Sequence, residues 1–307
     1  MNVFVQGMRR SGTTILYDAL LEDPGLRCFY EPFREEAETL GGGSGAREHD
    51  VFAETRELRR AFQAERHPEV ALARFNLGGP GDPEREADPE LPAWAAEWIA
   101  ELLAQAPSVL IKFVRMYRKL PALASIDPRA LLVHVTRDPR AVAGSMLYGR
   151  RRTHARYPDA EAFFGARTQR KLWSSRQIAE ALLREPANAS LGGDLSDLER
   201  VLLVWRAAVA DARRDGISSF GDRYLMIRLE DLAANPAAQL GRIYAGLERP
   251  VPTGVVAWAE RHVHPVTEPP FAGDPRWLEV SARLGLNEAL EATGYADPLG
   301  GARRARR

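Results

Sequence analysis

The sequence contains little cysteine and little lysine, and it lacks long apolar runs. Cys28 is the only cysteine among 307 residues, which excludes an intrachain disulfide framework and a cysteine-rich zinc site. No apolar run reaches the roughly 18 residues of a membrane span, so none is expected. The chain starts with the apolar stretch NVFVQG, which predicts a core strand and leaves no room for a secretion signal. These features predict a cytoplasmic protein.

Acidic and basic residues balance at 42 each, and the isoelectric point is near 7.0. Whole-chain electrostatics therefore argue against a nucleic-acid partner. A hydrophobic content of 45% in 307 residues is enough to bury a sizeable core. We expect one domain over residues 1–300 and a basic, frayed tail at 301–307. Lysine occurs only at positions 112, 119 and 171, so a lysine inside an apolar strand needs a physical reason.

Predicted strands alternate with predicted helices along the chain. Short apolar runs predict strands at 2–6, 26–30, 108–115, 130–137 and 224–232. Helical periodicity predicts helices from Ser11 to about residue 23, and at 51–66, 93–105, 138–147, 157–184, 195–214, 236–247 and 254–262. A capping box of Ser196 and Glu199 begins the 195–214 helix, and 78–92 is a proline-rich polar loop and a candidate lid. This order predicts an α/β fold with three layers, in which helices flank a mainly parallel sheet.

The stretch QGMRRSGTTIL forms a glycine loop between the first strand and the first helix. Gly7 and Gly12 have the spacing of a nucleotide-binding P-loop, but Thr13 stands where that motif has its lysine. The nearest cation, Arg10, precedes the Ser-Gly pair. Such a loop aims backbone N–H groups and the helix dipole at one point, which favours anion binding over a purely structural turn. The candidate phosphate ligands are Arg9, Arg10, Ser11, Gly12, Thr13 and Thr14.

A second constellation follows the fourth predicted strand, in VTRDPRAVAGSML. Arg137 ends the strand, and Ser145 follows eight residues later in the next helix. An arginine at a strand end and a serine on the following helix can bind one phosphate from two sides. Alone, this stretch is equally compatible with a surface turn. Beside the glycine loop, it suggests a donor that carries two phosphate groups, and ligands of such sheets bind at the carboxyl ends of strands.

Together, the two motifs resemble those of the sulfotransferases that use 3′-phosphoadenosine 5′-phosphosulfate (PAPS). RRSGTTIL is similar to their 5′-phosphosulfate loop, although Arg9 stands where a proline is common, and VTRDPRAVAGSML is similar to their 3′-phosphate motif. Further stretches are similar, in order, to the carbohydrate 6-O-sulfotransferase branch: FYEPF, VLIKFVR, YLMIRLEDLAANPAAQLGRIYAGL and HVHPVT. The tyrosylprotein branch shares the loop type and a glutamate at the Glu31 position. The resemblance covers most of the chain, with gaps at 36–105 and 148–195.

The resemblance implies a P-loop NTPase-like sulfotransferase fold and a PAPS-dependent O-sulfotransferase that needs no metal. Its acceptor would be a hydroxyl of a carbohydrate or of a small metabolite. We expect Arg10, with the loop N–H groups, Thr13 and Thr14, to hold the 5′-phosphosulfate and to stabilise the leaving phosphate. The resemblance implies that Glu31 is the general base. The family also has a lysine at position 112, which with the apolar flanks favours a contact of Lys112 with the sulfuryl group. The open alternatives are an ion pair of Glu31 with Arg34, and a Lys112 side chain that extends to solvent at a sheet edge.

Two other function classes remain open at this point. A P-loop kinase would use ATP or GTP with Mg²⁺, but the glycine loop lacks the lysine of that motif. A non-catalytic nucleotide-binding protein would bind the ligand without turnover. His262 and His264 have no third ligand nearby in the sequence, which argues against a metal site. Trp205 lies on the apolar stripe of its helix and is predicted to be core.

Overall fold

Five parallel strands form the sheet in the computed structural model of the chain. The described residues are 1–33, 46–71, 76–77, 84–149, 157–167, 175–192, 194–266 and 268–295. The strands are β1 (Val3–Gln6), β2 (Arg27–Tyr30), β3 (Val109–Phe113), β4 (Leu131–Thr136) and β5 (Tyr224–Arg228). Their spatial order is β2-β3-β1-β4-β5, and every neighbouring pair is parallel. All five carboxyl ends therefore lie along one edge of the sheet, where ligands of such folds bind.

Helices occupy both faces of this sheet. Within the described residues they are α1 (Thr13–Leu20), α2 (Ala46–Arg66), α3 (Glu84–Ala87), α4 (Ala93–Leu103), α5 (Leu120–Ile126), α6 (Pro139–Tyr148), α7 (Ala160–Phe164), α8 (Ser175–Leu183), α9 (Asp197–Phe220), α10 (Leu229–Ala234), α11 (Pro236–Gly246), α12 (Thr253–His262), α13 (Arg276–Leu284) and α14 (Asn287–Thr293). None of these helices, within the described part of the chain, is long and apolar enough to cross a membrane.

Two hydrophobic cores lie on opposite faces of the sheet. Alternate side chains of a strand point to opposite faces, so Phe4 and Ile111 join the core formed with α4, α5 and α9. Val5 and Val133 join the other core, formed with α1, α11 and α12. The three-layer α/β architecture predicted from the sequence is thus confirmed.

Several elements differ from the prediction. The helix α5 was not expected, because its seven residues are too few for a clear helical period. The α13 and α14 helices were also not expected. The predicted 157–184 helix is represented in the described residues by two separate helices, α7 and α8. The predicted last strand ends at Arg228, and its remaining residues begin α10.

The described part of the predicted lid, residues 84–92, is tied to the body of the protein. It contains α3, and the Lys119 ammonium donates to two backbone carbonyls of this segment. Glu86 within α3 is fully buried and pairs with Arg9 of the glycine loop. These contacts hold the described part in place, so it does not support the lid interpretation. Residues 78–83 lie outside the described residues.

Candidate active site

The glycine loop connects the carboxyl end of β1 to the start of α1. Gly12 caps the helix with φ of 95°, in the left-handed region that non-glycine residues rarely adopt. A Cβ atom there would lie 2.5 Å from Cδ1 of Leu229. At Gly7, a Cβ atom would collide with the backbone oxygen of Val135, at the end of β4. Both glycines are therefore required by close packing of the loop against its neighbours.

The first turn of α1 presents backbone donors at this edge of the sheet. The Leu16 N–H donates to the Gly12 carbonyl at 3.3 Å, which is the first bond of the helix. The preceding N–H groups of Thr13, Thr14 and Ile15 consequently have no acceptor within the helix. Such a helix start attracts anions through its N–H groups and its dipole.

The side chains of this turn differ in their access to a ligand. Ser11 and Thr13 are buried, whereas Thr14 is half-buried. The Thr14 hydroxyl lies 2.9 Å from the Tyr30 hydroxyl at the end of β2. Burial raises the pKa of Tyr30, so its phenol stays protonated. This hydrogen bond links the start of α1 to the strand that precedes Glu31.

Arg10 joins the two predicted phosphate motifs. Its Nε atom donates to Ser145 Oγ at 2.7 Å, across 135 residues of sequence. The Arg137 Nη1 atom donates to the Arg10 backbone oxygen at 3.1 Å. We name Arg10, Arg137 and Ser145 the Arg10 cluster. The sequence predicts two binding motifs for two separate phosphates. The structure brings residues of both motifs into direct contact beside α1.

Two side chains outside the motifs hold the backbone that carries Arg137. Trp205 is fully buried, and its indole Nε1–H donates to the Arg137 carbonyl at 3.1 Å. The next residue, Asp138, donates its backbone N–H to Glu230 Oε1 at 3.0 Å. The prediction of Trp205 as core is correct for its ring but misses the role of its N–H. No local sequence signal marks that bond, because its partner is 68 residues away.

Arg9 has a different partner from Arg10. Its guanidinium is buried and makes two hydrogen bonds to the Glu86 carboxylate. The Arg115 Nε atom lies 3.5 Å from the same carboxylate. The sequence predicts Arg9 as a phosphate ligand, whereas the structure gives it a carboxylate partner inside the protein.

Lys112 and Glu31 meet at the ends of β2 and β3. Lys112 is 1% exposed and lies on β3, between β2 and β1, so the interpretation as an edge lysine is wrong. Its Nζ atom pairs with Glu31 Oε1 and lies 4.0 Å from the centroid of the Tyr30 ring. The ion pair expected as an alternative for Glu31 involves Arg34, which lies outside the described residues.

The backbone at Glu31 is unusual. Its φ is 41°, which is strained for a residue with a Cβ atom, and its N–H donates to the Lys112 carbonyl at 2.9 Å. The side chain is 16% exposed, so its carboxylate reaches both Lys112 and solvent. A cleft that is open to solvent lies beside it, and its described lining residues are Glu31, Phe33, Leu77, Phe113, Val114, Arg115 and Met116. A small molecule in this cleft would lie next to the carboxylate.

The structure gives one of the histidines near the C-terminus a backbone and a ring partner. His262 Nδ1 lies 2.8 Å from the Trp258 carbonyl, and the two rings stack with centroids 4.4 Å apart. Within the described residues, no group of three or more histidine, cysteine, aspartate or glutamate side chains has a geometry that could hold a metal ion.

The model of one protein family, the sulfotransferase family, matches residues 2–188, which is more than half of the chain. The chain belongs to the sulfotransferase family. The matched range includes the glycine loop, Glu31, Lys112 and the Arg137 and Ser145 motif. Every candidate site residue of this sulfotransferase therefore lies inside the range that the family model matches. The protein is a transferase enzyme.

Solved structures of other sulfotransferases have similar but distant backbones. The sulfotransferase STF9 of Mycobacterium avium is 17% identical, with 95% of this chain and 76% of that chain covered and a TM-score of 0.49. The sulfotransferase domain of the Synechococcus PCC 7002 olefin synthase is 18% identical, with coverages of 93% and 86% and a TM-score of 0.43. The sulfotransferase domain from the curacin biosynthetic pathway is 13% identical, with coverages of 92% and 96% and a TM-score of 0.47. No curated protein sequence matches this sulfotransferase.

Proposed function

We propose that this sulfotransferase uses PAPS as its donor, transfers the sulfuryl group to a hydroxyl of a small acceptor and releases adenosine 3′,5′-bisphosphate. The meeting of Arg10, Arg137 and Ser145 beside the start of α1 supports this donor most directly. PAPS carries phosphate on both sides of its ribose, and this edge offers backbone donors for one group and side-chain donors for the other. ATP would leave the second group of donors without a phosphate.

In this proposal, one set of residues binds the 5′ end of the donor and a second set binds its 3′-phosphate. The N–H groups of Thr13, Thr14 and Ile15 donate to oxygens of the 5′-phosphosulfate, within the loop formed by Ser11 and Gly12. The Arg137 guanidinium and the Ser145 hydroxyl bind the 3′-phosphate. Arg10 lies between these groups and neutralises charge that develops on the leaving phosphate. Arg9 supports the loop through its buried pair with Glu86.

Glu31 and Lys112 carry the chemical step. PAPS supplies a sulfuryl group that is already bonded to a good leaving group. Glu31 accepts the proton of the acceptor hydroxyl as the new oxygen–sulfur bond forms and the bond to the 5′-phosphate breaks with its electron pair. Lys112 donates from Nζ to an oxygen of the transferring group. Its ammonium is buried and requires an anionic partner, which Glu31 supplies in the structure.

A thermal-shift comparison tests the donor. A ligand that binds only the folded state at about 100 times its Kd adds about 2.7 kcal/mol of stability. We expect stabilisation by adenosine 3′,5′-bisphosphate, and less by adenosine 5′-monophosphate. Stabilisation by ATP with Mg²⁺ but not by the bisphosphate would overturn the PAPS assignment and favour a kinase.

Turnover of radiolabelled PAPS with a panel of hydroxyl acceptors tests the catalytic roles. Loss of a general base lowers the rate about 10²–10⁴-fold, so Glu31→Gln should lose that much kcat while it still binds the bisphosphate. Glu260→Gln, at an exposed site on α12, is the matched control. Lys112→Met should also lower kcat. Full turnover by Glu31→Gln would remove Glu31 from the role of base.

A further inference from the structure

Most of the described residues that line the cleft beside Glu31 are apolar. Its apolar lining side chains are Phe33, Leu77, Phe113, Val114 and Met116. The two charged lining side chains already have partners, since Glu31 pairs with Lys112 and Arg115 lies 3.5 Å from Glu86. Of these two groups, the Glu31 carboxylate is the one that can accept a hydroxyl proton, because a guanidinium is only a hydrogen-bond donor.

These walls are fixed by packing. The Phe33 ring stacks on Phe113, with centroids 6.4 Å apart, and meets Trp94 edge-on at 5.9 Å. The Met116 backbone N–H donates to Gln6 Oε1 at 3.1 Å, which ties the far wall to the end of β1. These contacts keep the two phenylalanine rings in the wall of the cleft.

We infer that the acceptor carries its hydroxyl on an apolar body, such as an aryl or alicyclic alcohol, rather than on a sugar ring. The inference rests on the proposed function, because it places the acceptor hydroxyl at Glu31. A sugar in this cleft would place its other hydroxyl groups against the apolar lining side chains, where these hydroxyls lose their hydrogen bonds to water. Transfer of an apolar ring from water into the cleft is favourable, and such an acceptor needs a polar contact only at its single hydroxyl.

A matched pair of ligands tests this class of acceptor. Tetrahydropyran-2-methanol has the ring and the hydroxymethyl group of glucose but lacks the other hydroxyls. Saturation-transfer NMR measures binding of each to the enzyme in the presence of adenosine 3′,5′-bisphosphate. We expect the deoxygenated alcohol, and cyclohexylmethanol beside it, to bind at least about tenfold more tightly than glucose. Glucose binding as tightly as the alcohols, or no binding of either alcohol, would overturn the inference.

A change in the wall locates the binding. Val114→Thr keeps the side-chain shape and replaces one methyl group by a hydroxyl. An apolar ligand would desolvate that hydroxyl, so the alcohols should bind about tenfold more weakly while the bisphosphate affinity stays the same. Val251→Thr, at a partly buried site that does not line the cleft, is the control. Equal alcohol binding by Val114→Thr and the wild type would overturn the assignment of the cleft. Failure of the proposed function is a separate result: the alcohols bind, but neither the bisphosphate nor PAPS does.

Discussion

Replacement of Ser145 by alanine tests the donor site at its most specific point. The Ser145 hydroxyl accepts a hydrogen bond from Arg10 Nε at 2.7 Å and, as proposed, donates to the 3′-phosphate. Alanine is a better helix former than serine, so the change should not destabilise α6 through helix propensity. Ser145 is half-buried, which lets water replace the lost partner of Arg10. The variant therefore isolates one hydroxyl within a folded site.

The expected loss follows from the charge of the phosphate. A hydrogen bond to a charged group contributes about 1.5–3 kcal/mol, and each 1.4 kcal/mol changes an affinity about tenfold. The Kd for adenosine 3′,5′-bisphosphate should therefore rise by roughly 10- to 150-fold in Ser145→Ala. Adenosine 5′-monophosphate lacks the 3′-phosphate, so its Kd should change by less than about threefold.

Isothermal titration calorimetry with both nucleotides gives the two affinities. Ser218→Ala, at an exposed position on α9, controls for the loss of a serine hydroxyl elsewhere. An equal loss of affinity for both nucleotides would refute the reasoning, because Ser145 would then act on the 5′ group through Arg10. The same two titrations assign Arg10: Arg10→Gln should weaken binding of both nucleotides if Arg10 serves the 5′ group.

Three further predictions concern the frame around the site. Gly12→Ala should lower the free energy of unfolding, measured in urea, by about 2 kcal/mol or more, because the left-handed backbone costs about 1–2 kcal/mol and the new Cβ atom collides with a methyl group of Leu229. The control Gly241→Ala, in open space on α11, should raise the free energy of unfolding by about 0.5–1 kcal/mol. Equal effects of the two substitutions would contradict this reasoning. Burial lowers the pKa of His134 to about 4, so the unfolded chain binds more protons below about pH 6.5. The wild type should therefore lose stability as the pH falls from about 6.5 to 4, and His134→Gln should lose less; identical slopes would count against this. Trp205→Phe removes the N–H donated to the Arg137 carbonyl and should lower the unfolding free energy by about 1–3 kcal/mol, whereas wild-type stability would show that this bond contributes little.

Local patterns in the sequence were sufficient for much of the fold and for part of the site. The capping box at Ser196 and Glu199 is formed in both directions, because its two partners lie within one helical turn. The burial of Lys112 followed from a rare residue type inside a nearly continuous apolar run. The partner of Arg9 was not predictable in this way. Glu86 is 77 residues away, in a segment whose prolines and charges predict a loop.

The same contrast separates the donor side of the site from the acceptor side. Arg10, Glu31 and Arg137 each follow a strand, and Lys112 lies within the last two residues of another. Parallel strands bring all four to one edge, whatever their distance in sequence, so recognising the strands was enough to group them. The cleft proposed for the acceptor is instead lined in part by Leu77, which belongs to no strand or helix. A wall of this kind is set by tertiary packing of irregular backbone, so motifs were enough to propose the donor, whereas the proposal of an apolar acceptor required the structure.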